Sequence, residues 1–393
     1  MRKILKNGKI VLENQVLENC ELVIENGRIV GITPQEDRNP TAEEIDVGGA
    51  YIMPGIIDIH SDMIESFIQP RSTAVMDFAT GLREAERVLM SCGITTMFHS
   101  ISMYREGAWD VKEIRQAPQV KKLAGLVGSY RHEPRLIRHR YHLRYEIDNI
   151  ACYEDVMEML QMGMVDLLSF MDHTPGQGQY KNLEIYRKHQ PNEGRDMTEE
   201  AFQELVGQEL EKEMVSFEKL MELADCAREH GIKIASHDDD TVEKLKVNEK
   251  LGVTISEFPI TMEVAKAAAE EGFETVLGAP NILLGGSHSG NLSALEAMKA
   301  GAATVLVSDY YPQALLQAVF WLYQKEGIPL SEAVRYVTLN PAKAVGMERE
   351  LGSIEVGKKA DLLCVNLEEE YPQLNCVFVD GECIMNCQYR KAD

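Results

Sequence analysis

Potential ligands for a cation recur at the ends of short apolar runs in this chain. The run Ile56-Ile57-Asp58-Ile59 ends at His60-Ser61-Asp62, and later runs end at Asp172-His173, Ser236-His237-Asp238 and Ser308-Asp309. From Ile52 to about Val345 the texture is strand then helix, repeated. The expected strand ends are His60, Ser100, Glu146, His173, His237, Pro259, Pro280 and Asp309. Amphipathic stretches over residues 80–91, 262–272 and 293–300 fit between them. Eight is the number of strands that closes a barrel. The sequence therefore predicts an α/β chain built on a (β/α)8 TIM barrel, with its functional groups at the C-terminal mouth.

Both ends of the chain read differently. Asn7-Gly8 and Asn26-Gly27 are hairpin signals between short apolar segments, and the texture returns from Gly352, with Ala360-Asp361-Leu362-Leu363-Cys364-Val365 as a strand and Asp380-Gly381 as a turn. A small β-sandwich domain assembled from residues 1–52 and 347–393 is expected, flanking a barrel of residues 53–346. Arg187 to about Glu213 breaks the strand–helix rhythm after His173. An insertion there is either a lid over the active face or a solvated extra helix.

With 393 residues and 45% hydrophobic composition the chain can bury a large core, and no apolar run approaches the ~20 residues of a membrane span. A soluble, cytoplasmic protein is expected, and the eight scattered cysteines are expected to be reduced. Cys383 and Cys387 are four apart without a second Cys/His pair, which reads as strand thiols rather than a zinc site. The formal net charge of −23 argues against nucleic acid and anionic membranes as partners. Any anionic substrate must therefore meet a local cluster of cations.

His60 and Asp62 alternate along an extended end, so both side chains face one way. Two neighbouring divalent cations repel, and an anion must bridge them. Phe170-Met171-Asp172-His173 offers no lysine that carbamylation could make anionic, so Glu146 is the expected bridge. His173 and His237 would supply neutral imidazole nitrogens, and Asp309 would complete the set while accepting a proton from bound water. The expected cofactor is a pair of divalent ions, zinc, manganese or iron, which generates hydroxide near pH ~7. Each residue taken singly is explained as well by a buried hydrogen bond; six at strand ends are not. His99 reads as facing substrate or supporting a ligand, and Asp172, Asp238, Asp239 and Asp240 as orienting imidazoles or capping helices.

Arg135 to Arg144 holds four arginines and two histidines just before Glu146. Running into a site, such a cluster suits a phosphate clamp, because guanidinium forks pair bidentately with phosphoryl oxygens. Arg71 is a candidate to join it. Elsewhere in a sequence the same stripe would read as surface ion pairs. Gly285-Gly286-Ser287-His288-Ser289-Gly290-Asn291 opens a helix after the seventh strand, an arrangement that lets backbone N–H groups approach an anion.

Pro54-Gly55 through His60-Ser61-Asp62, Gly352-Ser353-Ile354 through Asp361-Leu362, and the strand-end ligands resemble the amidohydrolase superfamily. Arg138-His139-Arg140 through Glu146, Met171-Asp172-His173-Thr174-Pro175-Gly176-Gln177, Ala235-Ser236-His237-Asp238-Asp239 and the glycine-rich stretch after Gly278-Ala279-Pro280-Asn281 resemble its phosphonate-utilisation branch. That resemblance implies hydrolysis of a ribosyl phosphonate triphosphate to its 5-phosphate, with release of pyrophosphate. The substrate, a small anionic phosphorylated sugar, is expected on Arg71, Arg138, His139, Arg140, His142, Arg144, Gln177, Ser287, His288, Ser289 and Asn291. The branch commonly carries Asn-Leu-Glu and Pro-Arg-Pro after the first strand; here Met63-Ile64-Glu65 and Gln69-Pro70-Arg71-Ser72-Thr73 stand instead. Cleavage of a C–N bond and a non-catalytic metal-binding scaffold are the alternative readings, and the sequence leaves a homo-oligomer open.

Overall fold

The computed structural model describes residues 2–34, 42–105, 112–180, 183–189, 197–286 and 292–389. Among the described residues sixteen strands form two sheets. The first sheet takes β1 (Arg2–Val11), β2 (Val16–Glu25), β3 (Arg28–Pro34), β4 (Glu43–Asp46) and β5 (Tyr51–Pro54) from one end of the chain. β14 (Leu362–Glu368), β15 (Tyr371–Val379) and β16 (Glu382–Asn386) come from the other. The second sheet holds β6 (Ile56–Ser61), β7 (Ile94–Met103), β8 (Arg138–Glu146), β9 (Leu167–Met171), β10 (Lys233–His237), β11 (Ile255–Glu257), β12 (Glu274–Gly278) and β13 (Val305–Val307).

Strands β6 to β13 are parallel and lie in sequence order, each joined to the next through helix. They are largely buried on both faces, which is why β6, β7, β9 and β13 read as mostly apolar runs; β8, with its arginines and histidines, is the exception. The sheet nearly closes. At its C-terminal end Asp309 N–H donates to His60 O (3.0 Å) and Asp62 N–H to Asp309 O (3.0 Å), so the last strand returns to the first. Inside, Ile57, Ile59, Phe98, Leu167, Ala235, Ile255, Val276, Val305 and Val307 fill the barrel. Outside, the strands pack on helices whose starts are fixed by side-chain caps: Asp77, Ser216, Thr241, Thr261 and Ser293 each accept from an N–H three residues on. The observed strand ends lie within three residues of those expected from sequence.

The terminal segments form one hydrogen-bonded path, β16-β15-β14-β5-β1-β2-β3, with β4 beside β1. It carries its own core of Leu5, Ile10, Leu22, Ile24, Ile52, Leu362 and Phe378. The insertion after His173 contains helices Leu183–His189 and Glu199–Leu210, and Tyr186, Phe202 and Val206 form a separate apolar cluster. That cluster includes Tyr180, whose ring lies 5.8 Å from the His173 ring, so the insertion sits at the barrel mouth.

Candidate metal centre

The first strand delivers its histidine through a bulge. Asp58 pairs with Met97 and Ser61 with His99, three residues against two, and the extra residue turns His60 into the barrel after Ile59. Asp58 itself accepts from Ser308 N–H and Oγ, tying β6 to the segment that carries Asp309; its burial pushes the carboxyl up to about 7. Three positions at the mouth have left-handed backbone: Asp238 (φ 54°), Phe258 (φ 53°) and Asp309 (φ 60°). For a phenylalanine this costs energy that a purely structural turn would avoid, and such strain concentrates at functional sites.

His60 Nδ1 lies 2.7 Å from Glu257 Oε1, and Glu257 Oε2 is 3.8 Å from His142 Nε2. Ser169 Oγ donates to the same Oε2 (2.9 Å). All three residues of the trio are buried. His142 Nδ1 donates to Ile59 O (3.1 Å) and lies 2.8 Å from Ser100 Oγ, which leaves Nε2 as a lone pair with no protein partner. Burial drives the His142 pKa down to about 3, and burial with the nearby Arg144 charge holds His60 well below the usual imidazole range. Both are thus neutral imidazoles at physiological pH.

A second trio, His173, His237 and Asp238, lies beside the first: the rings of His60 and His237 are 5.4 Å apart, those of His173 and His237 6.0 Å. His237 Nδ1 is 3.0 Å from Asp238 Oδ2 without hydrogen-bonding geometry, and both atoms are buried and unpartnered. Glu146 is buried and its Oε1 lies 2.6 Å from His173 Nδ1; this carboxylate and Asp238 raise the His173 pKa against the opposing effect of burial. Asp309 and Asp62 complete the mouth. Burial, then the Asp62 charge, pushes Asp309 up to about 6, and burial raises Asp62 as well. Asp62 is 3.5 Å from Arg115, which is anchored on the buried Glu65.

This donor set fits divalent cations. Within each trio the potential ligand atoms lie within 4.8 Å of one another, and His142 Nε2, His237 Nδ1 and Asp238 Oδ2 are buried without a hydrogen-bond partner, an arrangement that a bound cation would satisfy. His60, Glu146, His173 and His237 all join this cluster. Asp62 and Asp309 interact electrostatically with it through Arg144 and each other. Sequence reasoning missed Glu257. It overran the sixth strand to Pro259, although period-two alternation from Ile255 puts Glu257 on the inner face. Asp239 binds no ligand candidate; it accepts from Ser236, Ser256 and Asn248 and so holds the turn after His237.

The arginine stretch is dispersed by the geometry of β8. Arg138, Arg140, His142 and Arg144 alternate onto the inner face, but six positions separate the first from the last, about 20 Å of strand. Of the four arginines in the stretch only Arg144 reaches the mouth, its Nη2 3.3 Å from His237 Nε2 and its Nε 3.0 Å from Met171 Sδ. Arg138 lies at the opposite end, held by Asp361 and Asp380 of the terminal sheet. Arg140 faces Asp166 (3.5 Å) near that same end. His139 points outward, bridging His99 (2.8 Å) and Glu86 (3.1 Å) behind the barrel wall. His142 belongs to the buried trio. Arg71 is exposed in a bridge with Ala74, and Gln177 is exposed in the turn after Thr174. Ser287, His288, Ser289 and Asn291 lie outside the described residues.

Residues 189–387 match the profile of the amidohydrolase family. Over 384 residues, 96% of this chain and 99% of the relative, the sequence is 32% identical to alpha-D-ribose 1-methylphosphonate 5-triphosphate diphosphatase of Escherichia coli (strain K12). The chain belongs to the amidohydrolase family. An imidazolonepropionase of Fusobacterium nucleatum is 25% identical over 92% of this chain and 88% of its own. The crystal structure of another amidohydrolase superposes with a TM-score of 0.66 at 18% identity, over 99% of this chain and 100% of that one, a likeness of fold. Among the described residues no helix is long and apolar enough to cross a membrane.

Proposed function

We propose that this amidohydrolase family member cleaves a phosphoric anhydride, converting alpha-D-ribose 1-methylphosphonate 5-triphosphate to its 5-phosphate with release of pyrophosphate. The observation that carries the reading is the union, at one mouth, of Arg144 with two His/carboxylate trios, each holding buried ligand atoms without a hydrogen-bond partner. Full-length similarity to the diphosphatase supports the substrate. His60, His142 and Glu257 would hold one divalent ion, and His173, His237 and Asp238 the other, with Glu146, Asp62 and Asp309 as the neighbouring carboxylates; zinc, manganese and iron suit such N/O donors. When bound, the ions supply Lewis acidity and a water that ionises near pH ~7.

Asp309, its carboxyl pushed up to about 6 by burial, would act as the proton acceptor at the mouth. Arg144 pairs with the phosphoryl oxygens on which charge develops. Tyr180 and the insertion above His173 shield the mouth from bulk water. We read residues 1–52 and 347–393 as one small β-sandwich domain flanking the barrel of 53–346, and the protein as cytoplasmic. The test is pyrophosphate release from the triphosphate by protein loaded with manganese or zinc. Absence of turnover in protein that binds both ions rejects the substrate.

Hydrolysis of a C–N bond is the second reading. One observation favours it: only one arginine of the stretch enters the mouth, fewer than a triphosphate clamp was expected to need. An amide and cyclic-amide panel separates the two, since a phosphate reading requires Arg144→Gln to abolish binding of the triphosphate, and an amide reading requires turnover of a panel member. Protein that binds no divalent ion even on reconstitution would instead be a scaffold.

A further inference from the structure

Most of the arginine stretch stays outside the hydrolytic site, yet the place where Arg140 goes is itself shaped for a ligand. Arg140 and Phe98 are paired neighbours on β8 and β7, directed inward near the N-terminal end of the barrel. With the turns that follow several of the outer helices they line a cavity of about 300 Å³, whose other walls include Arg131, Asp166, His230 and Met347. Phe98 forms part of the apolar barrel filling, so the cavity is separated from the mouth; Arg144 stands four positions further along β8, about 13 Å.

Charge at this cavity is unbalanced. Arg131 donates to Asp166 (2.5 Å) and to Gly163 O (2.9 Å). Arg140 donates to His139 O (3.0 Å) and lies 3.5 Å from the same Asp166. Asp166 also accepts the Tyr141 N–H (2.7 Å). Two guanidinium groups thus share one carboxylate that already serves the backbone, in a chain whose net charge is −23. Burial, with the charges of Arg131 and Arg138, disfavours the protonated form of Arg140, as expected for a cation short of counter-charge. His230 adds a third polar wall; its Nδ1 is bonded to Cys226 O (2.8 Å), which leaves Nε2 for another partner.

We propose that this cavity is a second anion site, taking the phosphate group of inorganic phosphate or of a small phosphomonoester on the forks of Arg140 and Arg131, at the end of the barrel opposite the hydrolytic mouth. Guanidinium pairs recognise such groups bidentately, and about 300 Å³ accommodates the group with a small organic body against Phe98 and Met347. The proposal concerns binding only and stands whether or not the hydrolytic reading holds.

Isothermal titration of the metal-loaded protein with inorganic phosphate and with glycerol 3-phosphate tests it, in the wild type, Arg140→Gln, Arg140→Lys and Met347→Trp. One saturable event is expected to weaken about tenfold or more in Arg140→Gln, to survive in part in Arg140→Lys, and to vanish in Met347→Trp, which fills the cavity without removing a charge. Binding at the mouth persists in all four proteins, so it is distinguishable. Tighter binding of the ester assigns the site to an organic phosphate, equal binding to the inorganic ion. If Arg140→Gln fails to fold, Met347→Trp decides alone. Absence of a saturable event beyond the one at the mouth, or such an event unaltered by Met347→Trp, overturns the proposal.

Discussion

Replacing Arg138 by alanine separates structure from catalysis most sharply. The guanidinium is largely buried and pairs with Asp361, a carboxylate 5% exposed that also accepts the Asp380 N–H (2.9 Å), and with the half-exposed Asp380. Burial already raises Asp361 above the usual carboxylate range even with Arg138 present. Removing one partner of a buried pair strands the other charge and costs about 3–5 kcal/mol; protonation of Asp361 relieves part of this, so about 3 kcal/mol is expected. The loss should appear as a lower urea midpoint at unchanged slope. Arg138→Met combined with Asp361→Leu should recover most of it, because the apolar pair strands no charge. Pyrophosphate release per folded molecule should hold within about twofold of wild type, since Arg138 lies about 20 Å along the strand from Arg144. Unchanged stability with activity lost would refute this reasoning and return Arg138 to the substrate.

Three further outcomes follow from the geometry. Glu257→Gln should lower metal retention about 10- to 100-fold on dialysis, measured by elemental analysis, as expected when a buried carboxylate between two imidazoles is neutralised. Burial depresses the pKa of His99 and of its partner His139 below 6.5, so the stability they contribute is present above pH 6.5 and lost as pH falls; denaturation midpoints should decline on acidification, less steeply in His99→Gln. Gly55→Ala should destabilise by about 1–3 kcal/mol in thermal melts, because a Cβ there would meet the Thr95 side chain at 2.3–2.9 Å.

Much of the barrel was legible because most of its strands are buried on both faces and so read as apolar runs bounded by polar ends, β8 being the exception. Glu146 and His237 fall at the ends of β8 and β10, and His60 and His173 within two residues of theirs, as alternation and run length imply. Glu257 was hidden because the apolar run continues past this three-residue strand to Phe258, so the strand end reads as Pro259 and Glu257 falls inside the run. The bulge that rotates His60 inward leaves no mark in residue type, because it depends on register with β7. The arginine stretch misled for a different reason. Alternation from Glu146 says which face a side chain takes, but position along the strand advances by about 3.3 Å per residue, and that places Arg138 and Arg144 toward opposite ends of the barrel. Counter-charges such as Asp361, Asp380 and Asp166 are supplied from distant parts of the chain, so the destination of Arg138 and Arg140 is a tertiary fact.

The central claim is that two divalent ions sit between the His60/His142/Glu257 and His173/His237/Asp238 trios. Anomalous diffraction from crystals of the manganese- or zinc-loaded protein tests it directly. Two peaks inside the mouth, one in contact with each trio, are the expected result; a single peak elsewhere, or none in protein saturated with metal, contradicts it.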